Sequence, residues 1–294
     1  MYPAFDDLNT YWFTQRNSQT VDVYRKSNLN TCVDFISASD TTEVEDIQIL
    51  QDLELYKQRP EWLVGKSIDR EIDFSSPSNN TLEQMKNIYD RLIRGVICLR
   101  AFQATKNVAQ GEMVADKIIK YLESTDFYTA PASTMYHESV PSGLLFHSLK
   151  VYNEAVMLQG LPAFQSCNLC KWVLSALVHD WCKIGLYESY MRNVKNEETG
   201  QWEKVPSFRI AAVKRNNTLG HGAASMFLIS QFVHLSIDEA LAIRWHMGTW
   251  NVCDTEMNDL QDSNERYPLV HMIQFADQLA ITEYESERYR NVAN

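Results

Sequence analysis

From residue 82 onward apolar side chains recur at three- and four-residue spacing, the mark of helices that bury one face. The spacing predicts helices over 85–103 and 111–122, then over about 143–159, 167–182, 219–234, 237–247 and 267–290. Pro141, Gly143, Gly160, Pro162, Gly220, Gly248 and Pro268 punctuate them. A break falls at 124–134, and between 187 and 210 the pattern changes to that of a small β-hairpin. Residues 1–80 differ in character. They are polar, with apolar residues in short groups, of which 44–55 is the best helical stretch, and 73–81 is dense in turn formers. The expected architecture is all-α: a helical bundle over 81–294 with a small β-hairpin insertion, preceded by a polar N-terminal extension over 1–80.

Composition narrows the classes. The chain has 294 residues, enough for one or two domains with a real core, and 45% hydrophobic and 22% charged residues, as in ordinary globular proteins. A net charge of −11 argues against tracking along a nucleic-acid backbone, which draws on clustered Lys and Arg, but leaves room for a small anionic substrate held through a metal. No apolar run approaches the roughly 20 residues of a membrane span, and the start lacks the basic and apolar regions of a signal peptide. A cytoplasmic location without membrane partners is the expectation, with oligomer formation left open. The six cysteines lack the paired spacing of a zinc ribbon and read as reduced thiols; Cys167-Asn-Leu-Cys170 reads as a structural pair.

The candidate chemistry comes from polar residues in apolar positions. His147 shares a helix face with Leu144, Val151 and Ala155. His179 and Asp180 end the strongly apolar stretch 172–178, Asp277 shares a stripe with Val270, Ile273, Ala280 and Ile281, and His246 follows Ala242 and Ile243. A buried unpaired carboxylate costs several kcal/mol. No Lys or Arg lies on either aspartate stripe, so a divalent cation shared with the histidines is the expected counter-charge. A histidine on an apolar face is more often a core residue with one hydrogen bond; the coincidence of five such residues in one half of the chain favours the metal.

The order His147 … His179-Asp180 … Asp277 resembles the defining pattern of the HD-domain metal-dependent phosphohydrolases. Ser142-Gly-Leu-Leu-Phe-His147-Ser-Leu-Lys-Val151 is similar to that family's G-L-x-x-H-[ST]-x-x-V helix. Ala176-Leu-Val-His179-Asp180-Trp-Cys-Lys183-Ile-Gly185 resembles its A-x-x-H-D-x-x-K-x-G segment, and Phe275-Ala-Asp277-Gln-Leu-Ala280 its closing helix. Gly220-His221-Gly222 and Ile243-Arg-Trp-His246-Met-Gly248 resemble the additional motifs of the subgroup that binds two metals. The likeness spans roughly 130–290, with the motif core at 136–280.

The resemblance implies an HD bundle in which His147, His179, Asp180 and Asp277 hold a first metal and Asp180 bridges to a second completed by His221 and His246. Such ligands suit Mn, Fe, Co, Ni or Zn better than Mg. Many members carry two adjacent histidines where this chain has His246-Met247, which leaves the second site one ligand lighter; Asp254, Asp259 and Glu188 are candidates to assist. The implied activity is hydrolysis of a phosphoester or phosphoanhydride in a small phosphorylated compound, above all a nucleotide, by metal-activated water. Asp180, Lys183 and His137 are the candidate catalytic residues, His137 as a substrate contact or proton carrier. Lys183, Arg244, Lys214 and Arg215 are candidates to bind phosphate, Arg244 the weaker because it lies about 200° round a helix from His246. Tyr136, Tyr187, Phe208, Trp245 and Trp250 are aromatics near the motifs. The alternatives are a phosphodiesterase acting on cyclic nucleotides or single-stranded RNA, and a non-catalytic protein holding metal or nucleotide.

Overall fold

The computed structural model describes residues 64–105, 108–135, 137–196, 199–212 and 219–292, with side chains to 281, together with the backbone of four short strands ahead of them. Those strands, β1 (Tyr2–Pro3), β2 (Tyr11–Gln15), β3 (Val21–Ser27) and β4 (Thr31–Ile36), form an antiparallel meander in chain order. Trp12 lies opposite Tyr24 and Phe13 opposite Val23, and the register shifts between Arg25 and Lys26. The spacing of apolar residues does not predict this sheet, although its strands are rich in the aromatic and β-branched residues that strands favour. The expected helical stretch at 44–55 lies outside the described residues.

Among the described residues eight helices follow: α1 (Leu82–Thr105), α2 (Val108–Glu123), α3 (Gly143–Gln159), α4 (Leu169–Val178), α5 (His221–Ser230), α6 (Ile237–Arg244), α7 (Met257–Arg266) and α8 (Pro268–Val292). Helix α1 buries Met85, Ile88, Tyr89, Leu92, Ile93, Val96 and Leu99, the stripe that the spacing requires of it. Helix α4 lies at the centre, packed against α1, α3, α6 and α8, with nine of its ten residues buried. Asn168 caps it, accepting from Cys170 N at 2.9 Å and Lys171 N at 3.3 Å. Asn168→Ala is expected to cost about 1 kcal/mol, read from the midpoint of urea unfolding.

The segment ahead of α1 joins the same core through Val64, Ile68 and Ile72. Tyr152 Oη accepts from Gly65 N at 2.8 Å and donates to Lys66 O at 3.0 Å, while Asn153 Oδ1 accepts from Ile68 N at 3.0 Å. The turn formers at 73–80 make an ordered loop. Asp73 Oδ1 accepts from Ser75 N at 2.9 Å, and Asn80 Nδ2 donates to Asp73 O at 2.8 Å.

Strands β5 (Tyr187–Lys195) and β6 (Trp202–Ile210) form the expected hairpin, paired from Tyr187↔Ile210 to Lys195↔Trp202. Three predicted helices are shorter than the spacing suggested. The one over 167–182 ends at Val178 and resumes as a 3₁₀ turn, Trp181–Lys183, because Asp180 leaves helical dihedrals at φ −106°, ψ 16°. That over 219–234 runs from His221 to Ser230, and that over 237–247 stops at Arg244, with Trp245 at φ −108°. Helix α7 was not predicted: its sequence is polar throughout, and only Leu260 and Ser263 are buried. No described helix is long and apolar enough to cross a membrane.

Candidate metal centre

Four helix ends and two helix interiors meet around Asp180. His147 projects from α3, His179 caps the C-terminus of α4, and Asp180 follows it at the bend before the 3₁₀ turn. His221 opens α5, His246 lies just past α6, and Asp277 projects from α8. His147, His179, Asp180 and His246 are almost wholly buried; the side chains of Asp277 and His221 keep 13% and 22% exposure, so the cluster opens toward solvent on their side.

The two oxygens of Asp180 face different partners. Oδ2 lies 3.5 Å from His147 Nε2, 3.4 Å from His179 Nε2 and 2.6 Å from Lys183 Nζ. Oδ1 accepts from His221 Nε2 at 2.7 Å and lies 3.5 Å from His246 Nε2. Asp277 Oδ1 stands 3.1 Å from His147 Nε2 and 3.8 Å from His179 Nε2. All six residues expected to hold metal are therefore brought together. His147–His179–Asp277, His179–Asp180–His246 and Asp180–Cys182–His221 each gather their ligand atoms within 4.8 Å, and such buried groups could hold a metal ion.

The local structure fixes how the rings point. His179 Nδ1 donates to Ala176 O and His246 Nδ1 to Ile243 O, each at 2.8 Å. A carbonyl only accepts, so in the neutral ring Nε2 presents its lone pair to the cluster, the arrangement that metal-bound histidines use. His179 Nε2 sits 3.3 Å from His147 Nε2, and the buried His246 Nε2 has no hydrogen-bond partner. Converging acceptors with an orphaned ring nitrogen fit a bound cation.

Electrostatics follow the same contacts. Burial works to raise the Asp180 carboxyl, but Lys183, His179 and His221 outweigh it and hold it well below the usual range. Asp277 behaves likewise, its burial outweighed by the hydrogen bond and charge of His147. Burial lowers His246, whereas at His221 the Cys182 and Asp180 groups overcome burial and raise the ring to about 10.

Of the remaining expected residues, Lys183 and His137 also lie at the cluster. Lys183 is buried and ion-paired to Asp180, so this aspartate already has a counter-charge that the stripe argument did not foresee: the break after Val178 turns a lysine three residues on toward the same centre. His137 sits against His147, ring centroids 4.8 Å apart, and burial holds it at about 3, neutral as it stands. Arg244 points away from His246, its Nη2 2.6 Å from Glu256 Oε1 and its guanidinium 4.0 Å over the Trp245 ring. It lines a surface cavity of about 460 Å³ with Gly220, Trp250 and Glu256. Lys214, Arg215 and Tyr136 lie outside the described residues. Glu188 is taken by Arg209 across the hairpin at 2.7 Å.

Two residues near the centre were not expected. Cys182 Sγ lies 3.2 Å from His221 Nδ1 and 3.5 Å from its Nε2. Glu138 Oε2 lies 3.7 Å from His147 Nδ1, and neither buried atom has a hydrogen-bond partner. Glu138 is held there by a left-handed backbone, φ 44°, whose carbonyl accepts from Ala132 N at 3.1 Å.

Comparison with protein-family models, with curated proteins and with solved structures finds no match to this chain. The class is accordingly defined by the fold and site themselves: a mostly helical protein with a small hairpin, built around a buried His/Asp/Cys cluster that could hold a metal ion.

Proposed function

We propose that the chain is an HD-type, metal-dependent phosphohydrolase acting on a small phosphorylated compound, above all a nucleotide. The observation that carries this reading is the division of Asp180, one oxygen toward His147, His179 and Lys183 and the other toward His221 and His246. A carboxylate so placed suits a bridge between two cations, the first held with His147, His179 and Asp277, the second with His221 and His246. Cations there would supply Lewis-acid charge to a phosphoryl oxygen and activate a water at neutral pH.

The chain's own residues do the rest. Ala176 O and Ile243 O orient His179 and His246. Lys183 neutralises Asp180 in the metal-free protein and, released from it, is placed to hold an oxygen of the substrate phosphate. Arg244, turned from His246 and held by Glu256, lines with Trp250 a separate cavity beside Gly220 and takes no part in this reading. Glu138 Oε2 faces His147 Nδ1 from behind at 3.7 Å, unbonded in the metal-free protein, and a small approach would let it accept from Nδ1 and orient the ring when Nε2 takes a cation. Glu138→Gln is expected to weaken metal binding about tenfold, as loss of such an orienting partner does, measured by competition with a coloured chelator.

The test is a substrate panel: metal-free protein reloaded with Mn, Fe, Co, Ni, Zn or Mg and offered nucleoside mono-, di- and triphosphates, dinucleoside polyphosphates and cyclic nucleotides, with products separated by chromatography. Cleavage of one class, strongest with a transition metal, is the expected result. Metal retention without cleavage of any phosphate would replace the hydrolase with a binding protein.

A further inference from the structure

We infer that Cys182 is a metal ligand, the fourth protein donor of the position shared by Asp180, His221 and His246, and that it makes that position selective for zinc or cobalt. The inference rests on the metal centre proposed above and adds a donor to it.

Counting donors leads to the cysteine. His221 Nε2, His246 Nε2 and Asp180 Oδ1 make three, and a zinc position of nitrogen, oxygen and sulfur ligands takes four. Glu188 is engaged by Arg209 across the hairpin and supplies nothing here. Cys182 stands in place instead. Its thiol is buried, and its Sγ groups with Asp180 and His221 within 4.8 Å. The 3₁₀ turn after Asp180 brings carboxylate and thiol, two residues apart, toward the same imidazole, and Ser225 Oγ pins that turn by accepting from Cys182 N at 2.9 Å.

The separations approach those of ligands around one ion once the His221 ring turns: in the metal-free protein its Nδ1 is the nearer to Cys182 Sγ, at 3.2 Å, and its Nε2 is hydrogen-bonded to Asp180 Oδ1 at 2.7 Å. With bonds of about 2.0–2.1 Å to nitrogen or oxygen and about 2.3 Å to sulfur, tetrahedral donors stand about 3.3–3.6 Å apart. Cys182 Sγ to His221 Nε2 is 3.5 Å, and His246 Nε2 to Asp180 Oδ1 is 3.5 Å. Independently of the cysteine, the orphaned His246 Nε2, fully buried with its lone pair toward Asp180, points to a cation at this position. A thiolate among imidazoles and a carboxylate favours zinc and cobalt over manganese and magnesium, and the thiol proton leaves to solvent when the ion binds. Four protein donors close a zinc position except where it expands to five ligands in a transition state, so the Cys182 position would chiefly supply charge beside the His147–His179–Asp277 position.

The experiment titrates Co²⁺ into the metal-free protein and into Cys182→Ser, reading the visible bands of bound cobalt and the near-ultraviolet thiolate-to-cobalt charge-transfer band. Wild type is expected to show both, and Cys182→Ser to keep visible bands from the His147–His179–Asp277 position while losing the charge-transfer band. Its second zinc ion should dissociate at least about 100-fold more readily, since a ligand contributes more than an outer partner. Visible bands in wild type without a charge-transfer band, or a band unchanged in Cys182→Ser, would overturn the assignment and leave the metal centre standing. Absence of any cobalt spectrum would remove the metal centre and this ligand together. X-ray absorption of the zinc-loaded wild type, which needs no variant, should show sulfur at about 2.3 Å; a shell of nitrogen and oxygen alone contradicts the assignment.

Discussion

Asp180→Ala is expected to cut metal retention from two ions to one or none and to abolish hydrolysis, with turnover falling at least about a thousandfold. A catalytic cation contributes several kcal/mol of transition-state charge stabilisation, and each ~1.4 kcal/mol is a factor of ten. The variant also acts on the fold. Asp180 is fully buried and Lys183 Nζ lies 2.6 Å from it, itself buried. Removing one partner of such a pair leaves an uncompensated charge at a cost of about 3–5 kcal/mol. Metal-free Asp180→Ala should therefore melt well below metal-free wild type. Asp180→Ala combined with Lys183→Met removes the stranded charge, recovers most of the stability and stays inactive. Thermal unfolding followed by circular dichroism, with elemental analysis of the same samples, separates the two effects.

The second large effect lies at Gly222, one residue after His221. A Cβ at this position would stand 2.1 Å from Arg244 O and 2.7 Å from Arg244 C, at the seam between the start of α5 and the end of α6. Neither atom can swing aside, because both are backbone. That close approach is what lets His221 and His246 face one carboxylate, their ring centroids 5.2 Å apart. Gly222→Ala must push the two helix ends apart, and overpacking of this kind costs about 1–3 kcal/mol. Beyond that loss, the separation of His221 from His246 should empty the second metal position before the first. Zinc stoichiometry falling from two to one per folded chain is the expected reading; unchanged stoichiometry with unchanged stability would show that the seam tolerates the methyl.

Much of the bundle was legible because long amphipathic helices repeat their signal over many turns, as the buried stripe of α1 does. Five of the six clustered residues were legible for a related reason: His147, His179, Asp180, His246 and Asp277 follow or share apolar stretches that point into the core, and α3, α4 and α8 pack as those stretches require, whereas His221 was legible only through the likeness of Gly220-His221-Gly222 to a family motif. What escaped depends on backbone that carries no period. Cys182 at the centre, and the ion pair that Lys183 makes with Asp180, escaped because the chain leaves the helix at Asp180, whereas periodicity carried the helix through 182. Glu138 reaches His147 through a left-handed residue in a loop. Helix α7 escaped because it is short and mostly polar, with only Leu260 and Ser263, one turn apart, to mark its inner face. The reading of Arg244 as the weaker phosphate candidate rested on helix geometry alone, and its side chain does turn from His246 toward Glu256.

The central claim is a pair of cations gathered by one aspartate, and metal stoichiometry addresses it most directly. Protein stripped with a chelator, reloaded with zinc and passed through a desalting column should retain two ions per chain by elemental analysis, and Asp180→Ala combined with Lys183→Met should retain none or one. Folded wild type that retains no ion, or a double variant that retains two, would contradict the account.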